Sequence, residues 1–500
     1  MGRTENSGST PPRSLGPFLF LWASLAAATA FFLVQPFVFH HSYYGPRSTS
    51  GSDDWWVVAA LFAPYAYAIR RYLRGGGPSA AVLLAAVAVL YVALIPAPAL
   101  QSQDVYQYLL YGKMALHGHN PYVVHPAGLR DPWRAWTLWN DTLSVYGPLW
   151  TLLTAGVVKA AGQNLTAAFL AMKAVAAGVA LLAAGLLAAA AGGSRDGKGS
   201  FVGAADPGFA VLAFAYNPMV LFAAGLGAHT DLMVAALLAG AVAAYGRGRD
   251  VPSTLLIAMA ALVKAYAGLV LIAWLLHLWR RRGLGASVGH ASLVAAAAVL
   301  AYLPFWHGAE TFTGVADIGR IASTSLAGTI VRLASGHAWA AYAAGASTPG
   351  EVVRVLGLLL IAAALVTVAR SPRTGREPWR AGAILFWVYV VVTPWYLAWH
   401  LIGLVALAVA CADEVVLWST LTFSATSLYV GTGGTVAGLV LQTAVRYVPP
   451  GVVATRTLRS ERRVNARGSN GRPDVRSGVP AASPGSPADA ARAGRRRTAS

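Results

Sequence analysis

Long apolar runs separated by short polar or basic punctuation dominate this chain. They cover roughly 17–40, 55–73, 79–98, 147–161, 166–191, 207–225, 230–246, 253–280, 287–305, 351–369, 381–394, 399–411, 414–430 and 434–448. Many reach about 18 residues, enough to cross a ~30 Å hydrocarbon layer as a helix. A spanning backbone must satisfy its own hydrogen bonds, and strict apolar/polar alternation is absent. The pattern therefore predicts an all-α polytopic membrane protein with roughly 12–14 transmembrane helices. Arg3 and Arg13 precede the first run, which continues through "FFLVQPFVF" as a retained first helix rather than a cleaved signal peptide.

Basic clusters orient the runs. "RRYLR" at 70–74, "GRGRD" at 246–250, "RRR" at 280–282 and "RSPRTGREPWR" at 370–380 are expected on the cytoplasmic side. Residues 253–280 then form a hairpin of two short helices with its tip near Lys264. Residues 147–206 need an odd number of crossings, so one of the two runs there does not span. The domain plan is a cytoplasmic tail 1–16, a transmembrane domain 17–453 with long external loops 99–146 and 306–350, and a basic, disordered cytoplasmic tail 454–500.

Composition agrees with this plan. Of 500 residues, 56% are hydrophobic and 11% charged, against roughly 25% charged in a soluble domain. The net charge of +19 sits largely in the tail and short loops, as topology demands, and nucleic acid is not an expected partner. The single cysteine, Cys411, lies in an apolar run and has no internal disulfide partner.

Polar residues gather at one expected face. In "QSQDVYQYLLYGKMALHGHNPY", 101–122, the stretch from Ser102 to about His117 reads as a short helix along the outer membrane surface. Asp104, Tyr108 and Tyr111 share one side of it at i, i+4 and i+7. Asp104 is either the helix cap or a base able to take a proton from an acceptor hydroxyl. "GLGAHTD", 225–231, puts His229 and Asp231 in a tight turn, as sugar or phosphate ligands or as a cap and a solvated histidine. Lys264 interrupts an apolar run, where a charge is functional or snorkels to the interface. "TPWYLAWH", 393–400, groups Trp395, Tyr396, Trp399 and His400, with belt packing as the alternative for the tryptophans. Arg320 and Arg332 are candidate phosphate partners in the second long loop. Walker loops, HExxH and clustered cysteines are absent, and no metal or cofactor is expected.

Chemistry on a lipid-phosphate sugar donor needs this set: cations for phosphate, a carboxylate for the hydroxyl and aromatic faces for sugar rings. A transporter or lipid-carrier flippase is the competing class, but it would place polar groups at midplane in two broken-helix halves. A glycan polymerase or ligase is a third.

"SQDVYQYLLYGKMALHGHNPYVVHP" followed by "YGPLW" resembles the first external loop of GT-C fold glycosyltransferases. It is most similar to the polyprenol-phosphate-mannose-dependent α-(1→6)-mannosyltransferases of actinobacterial envelopes. "FAYNPMVLFAAGLGAHTD" resembles that family's "NP…G-H-N-D" segment, with Thr230 where Asn is usual, and "ALVKAY" and "TPWYLAWH" match later landmarks. The resemblance implies a GT-C-like membrane fold with interfacial helices in the first long loop. It implies inverting transfer from a polyprenyl-phosphate sugar to a glycolipid or glycan acceptor at the non-cytoplasmic face of a bacterial plasma membrane. Asp104 would be the general base; Tyr108, Tyr111, His229, Asp231, Lys264, Tyr396 and His400 would bind donor or acceptor. Glucose or arabinose in place of mannose is the nearest alternative.

Overall fold

The computed structural model describes residues 15–38, 55–100, 102–192, 206–323, 325–336, 344–411, 413–428 and 435–470. The chain forms two compact units, Met1–Thr455 and Arg456–Ser500. The first holds everything discussed below. The final helix runs Val436–Asn470 and contains Pro449 and Pro450; residues 471–500 lie outside the described residues.

The described residues are overwhelmingly helical and contain no strand. Among the described residues, five helices are long and apolar enough to cross a membrane: Gly16–Gln35, Leu165–Gly192, Leu284–Phe305, Thr348–Arg370 and Val436–Ser460. A sixth span is broken: Pro207–Ala215 and Pro218–Gly227 meet at 57°. The break is written in "YNP", where Pro218 cannot continue the hydrogen-bond ladder. Asn217 caps the second half by accepting from the Met219 amide at 3.1 Å. Five further apolar helices have 10–17 residues: Ala80–Ala93, Asp231–Gly246, Asp250–Val263, Pro378–Val392 and Ala398–Ala410. The apolar runs counted in the sequence thus divide between full spans and short helices.

The two runs within 147–206 differ in length. Pro148–Ala160 has 13 residues and a length of about 20 Å, too short for the hydrocarbon layer, whereas Leu165–Gly192 has 28. The run 253–280 breaks where expected, with Lys264 in extended backbone between Asp250–Val263 and Gly268–Arg282.

Burial sorts the helices into inner and outer sets. Nearly every residue of Pro207–Ala215 and Ile402–Ala410 is buried, as is most of Asp231–Gly246. Leu284–Tyr302 has no buried residue, and Thr348–Arg370 almost none, so their apolar surfaces suit lipid. Asp231–Gly246 packs on Leu165–Gly192, and both helices bury small residues such as Ala176, Ala180, Ala183, Ala236 and Ala239. Small side chains let helix backbones approach closely where lipid provides little drive for association.

The helix expected over 102–117 is present as Asp104–Leu116, but it does not lie bare on a surface. Its residues from Asp104 to Gly112 are all buried. Pro148–Ala160 packs on one side, and the loop that follows the helix folds back over it through the single-turn helix Pro132–Trp136.

Candidate active site

Three chain segments meet the start of Asp104–Leu116: the turn before Asp231, the break at Lys264 and the stretch Thr393–His400. Each owes its shape to a local sequence feature. The second half of the broken span ends in a π-helical turn, Ala223–Gly227, followed by Ala228 at φ 48°. Such turns are frequent at functional sites because they re-aim the following side chains. A Cβ on Gly227 would sit 2.2 Å from His229 Nε2, so only glycine lets this ring tuck against the turn. Lys173, buried in the long helix Leu165–Gly192, ties the turn down by donating to the carbonyls of Ala97 and Gly225. The glycine of "YGPLW" works similarly. The Gly147 amide donates to the Val263 carbonyl at 2.9 Å, and its missing Cβ would lie 1.8 Å from Leu262 O. Tyr146 is thereby held beside Lys264.

The segments enclose a cleft of about 130 Å³ whose walls include Asp104, Gln107, Tyr111, Lys264, Trp399 and His400. Asp104 is the first residue of its helix, yet its carboxylate does not cap it. The Asp104 amide is instead met by Ser102 Oγ at 3.1 Å. One carboxylate oxygen accepts from Trp139 Nε1 at 3.3 Å; the other lies 4.0 Å from His229 Nδ1, beyond hydrogen-bond reach. Burial pushes the Asp104 carboxyl above its ordinary value, opposed by Ser102, the Lys264 charge and Trp139. His229, buried in the turn, is pushed down to about 3, chiefly by desolvation, and is therefore neutral. Its ring stacks on Trp399 with centroids 3.9 Å apart.

Asp231 is fully buried and its carboxylate is saturated. It takes Lys264 Nζ at 2.8 and 3.1 Å, the Tyr266 hydroxyl and Thr230 Oγ1. Lys264 keeps its side chain 13% exposed and lines the cleft. An ammonium has three donors, so two on Asp231 leave one for a ligand. The Thr230 position, where Asn is usual in the resembled family, keeps a polar contact to Asp231.

Four of the candidate residues face the cleft and sit together: Asp104, Tyr111, Lys264 and His400. The other four stand behind its walls. Tyr108 does not share the cleft face with Asp104 and Tyr111; it turns edge-on to Tyr146 and Trp150 at 4.9 and 5.4 Å. The cleft face of this helix is instead Asp104, Gln107 and Tyr111, at i, i+3 and i+7. His229 and Asp231 form the layer beneath Asp104 and Lys264. Tyr396 points away and stacks on Phe423 at 5.6 Å. Arg320 lies in a neighbouring cavity, paired with Asp317 at 3.2 Å. Arg332 is buried on Leu326–Ala334, outside the cleft walls. Sequence reading missed Trp139, Tyr266 and Tyr389; Tyr266 stands in "ALVKAY", two residues after Lys264, and was the legible one. Among the described residues no three His, Cys, Asp or Glu side chains converge as a protein-held metal needs.

A helical membrane bundle with one carboxylate, one ammonium and many aromatic rings around a cleft has the equipment of a membrane transferase acting on a sugar. Residues 54–280 match the family profile described as alpha-(1->6)-mannopyranosyltransferase, N-terminal domain. That stretch includes Asp104, His229, Asp231 and Lys264. Over 376 residues the chain is 28% identical to alpha-(1->6)-mannopyranosyltransferase A of Mycobacterium tuberculosis, covering 69% of each protein. A second alpha-(1->6)-mannopyranosyltransferase of that organism is 29% identical over 168 residues, 32% of this chain and 27% of the relative. A probable alpha-(1->6)-mannopyranosyltransferase of Mycolicibacterium smegmatis is 35% identical over 82 residues, 15% of each. No solved structure matches. The described residues form a polytopic helical membrane fold, and the proteins the chain resembles in sequence are hexosyltransferases. Over these stretches it is similar to the α-(1→6)-mannopyranosyltransferases that its first long loop resembles.

Proposed function

We propose that the protein moves a mannosyl residue from polyprenyl-phosphate-mannose to a glycolipid or mannan acceptor, with inversion, forming an α-(1→6) link on the non-cytoplasmic face of the bacterial plasma membrane. The observation that carries this reading is the division of labour between the two carboxylates. Asp104 opens onto the cleft with one long hydrogen bond, whereas Asp231 is consumed by Lys264 and Tyr266.

In the proposed reaction Asp104 accepts the proton of the acceptor 6-hydroxyl as its oxygen attacks the anomeric carbon. The carbon–oxygen bond to phosphate breaks on the opposite face, so a β-linked donor gives an α-linked product. Phosphate leaves as an anion and needs no general acid; the free Lys264 donor stabilises the developing charge. Tyr111, Trp399 and His400 offer surfaces for the sugar ring. Mannose is favoured by the printed activities of the relatives.

Orientation rests on the helices that build the cleft. Asp231 begins a helix that is followed by Arg247 and Arg249. Lys264 and Tyr266 precede a helix that ends in Arg280–Arg282. Trp395–His400 follow a helix that carries Arg380 at its start. In each case the cleft and the basic residues occupy opposite ends, and basic ends favour the cytoplasm.

The test uses membranes from a host lacking related enzymes, with wild type or Asp104→Asn, labelled polyprenyl-phosphate-mannose and a short α-mannoside. Wild type is expected to form an α-(1→6) product, and the folded Asn variant to be slower by about 10²–10⁴. Equal rates would remove Asp104 as the base. An inactive wild type that accepts a glucosyl or arabinosyl donor would overturn the choice of mannose.

A further inference from the structure

The 130 Å³ cleft has room for the reacting groups, not for an extended glycan. Beside it lies a larger cavity of about 470 Å³. That size falls within the roughly 300–1,000 Å³ typical of ligand pockets. The two share Thr142 and Ile318 as walls. The shared wall is held by a hydrogen bond and by close packing. Tyr111 donates to the Thr142 carbonyl at 2.6 Å, and Gly314 packs so closely that a Cβ there would lie 2.7 Å from Ser144 O. Thr313–Ile318 is thus pressed against the loop that carries Asp141 and Thr142.

We propose that this second cavity holds the non-reacting sugars of the acceptor, presenting its terminal residue to Asp104. The inference rests on the transferase reading above and deepens it. Charge decides the occupant. The polar walls are Asp141, Thr142, Asp317, Arg320 and His125, and the exposed Ala346 also lines the cavity. Arg320 is neutralised by Asp317 at 3.2 Å, which leaves Asp141 as the unbalanced charge. A cavity of this kind disfavours a phosphate, so it does not suit the donor's leaving group. Carboxylate and guanidinium edges instead bind neutral, hydroxyl-rich molecules, each accepting or donating in pairs. Sugars already joined to the acceptor are such a molecule. The shared wall fixes the geometry: a chain lying in the cavity runs past Thr142 into the cleft.

The proposal is tested on the full-length protein in membranes with two variants, the double change Asp317→Asn with Arg320→Gln, and Ala346→Trp. The first removes both charges and the paired carboxylate and guanidinium edges, and the second fills space with no loss of charge. Each is checked for a wild-type thermal melt. Acceptor KM is expected to rise about tenfold in each, as for loss of a hydrogen bond to a charged group. The rise is expected to be larger for an α-mannotrioside than for a monosaccharide acceptor, with donor KM and slow transfer of the sugar to water unchanged. An unchanged acceptor KM in both variants overturns the proposal, as does a rise in donor KM alone. Binding of the α-mannotrioside without donor, read by saturation-transfer NMR, separates this idea from the donor reading. Weaker binding by Ala346→Trp supports the cavity even if mannose proves the wrong donor sugar, and equal binding overturns it.

Discussion

The proton affinity of Asp104, the proposed base, is set mainly by lack of water. A raised carboxyl pKa means that the active, deprotonated form is lost as pH falls through that raised value. The acid limb of the transfer rate is therefore expected to have its midpoint above the ~3.9 of an ordinary aspartate. Trp139 donates to the charged form and so holds the pKa down. Trp139→Phe is expected to move the acid limb to still higher pH, measured from rate–pH profiles in membranes. A limb that stays put or moves to lower pH would disconnect Trp139 from the base. Residues of this kind divide sharply by legibility. Asp104, Lys264 and His400 stand out because a polar group in an apolar chain needs a reason. Trp139 and Tyr389 do not, because aromatic rings are common at membrane interfaces for reasons unrelated to chemistry.

At the scale of elements, turns matter more than helices. The π-helical turn Ala223–Gly227 delivers His229 beneath Asp104 and starts the helix at Asp231. Gly227→Ala would drive a methyl group into the His229 ring. It is expected to cut turnover strongly, with a loss of stability of about 1–3 kcal/mol, as for overpacking elsewhere. Assays of transfer beside thermal melts check this; unaltered turnover would show that His229 can move freely. Helix periodicity correctly placed Tyr111 on the face of Asp104, yet put Tyr108 there in place of Gln107. The spacing defines faces but not which one a returning loop covers. Here the loop past His117 decided it, through contacts far apart in sequence such as Thr137 on Gln107. Tyr396 was misplaced for a related reason. In "TPWYLAWH" the chain is partly extended, and alternate side chains go to opposite sides.

At the scale of the whole molecule, the alternation of apolar and basic segments made the fold class legible, because hydrocarbon tolerates so few architectures. It did not reveal which apolar runs are short. That depends on breaks such as extended Lys264 and on burial against neighbours. The orientation inferred from the arginine-bearing helix ends can be checked with thiols, since Cys411 is the single cysteine and is buried. In a Cys411→Ser background, an impermeant maleimide is expected to label Asp141→Cys on intact cells. Arg376→Cys is expected to react only after the membrane is opened. The reverse pattern would invert the topology.

The short helices around the cleft have a consequence for how substrate arrives. Asp231–Gly246 has 16 residues and rises about 24 Å, less than the ~30 Å layer that Leu165–Gly192 crosses with length to spare. If the cleft is the proposed site and the short helix is level with its neighbours at the basic end, the cleft floor would lie below the rim of the taller helices. A lipid-borne donor can slide into such a depression sideways, without leaving the bilayer, while a water-borne glycan descends from above. Two substrates with incompatible solubilities then meet at one point, and the encounter on the donor's side is a search in two dimensions. Its pace follows the donor's crowding within the membrane rather than its amount in the surrounding solution.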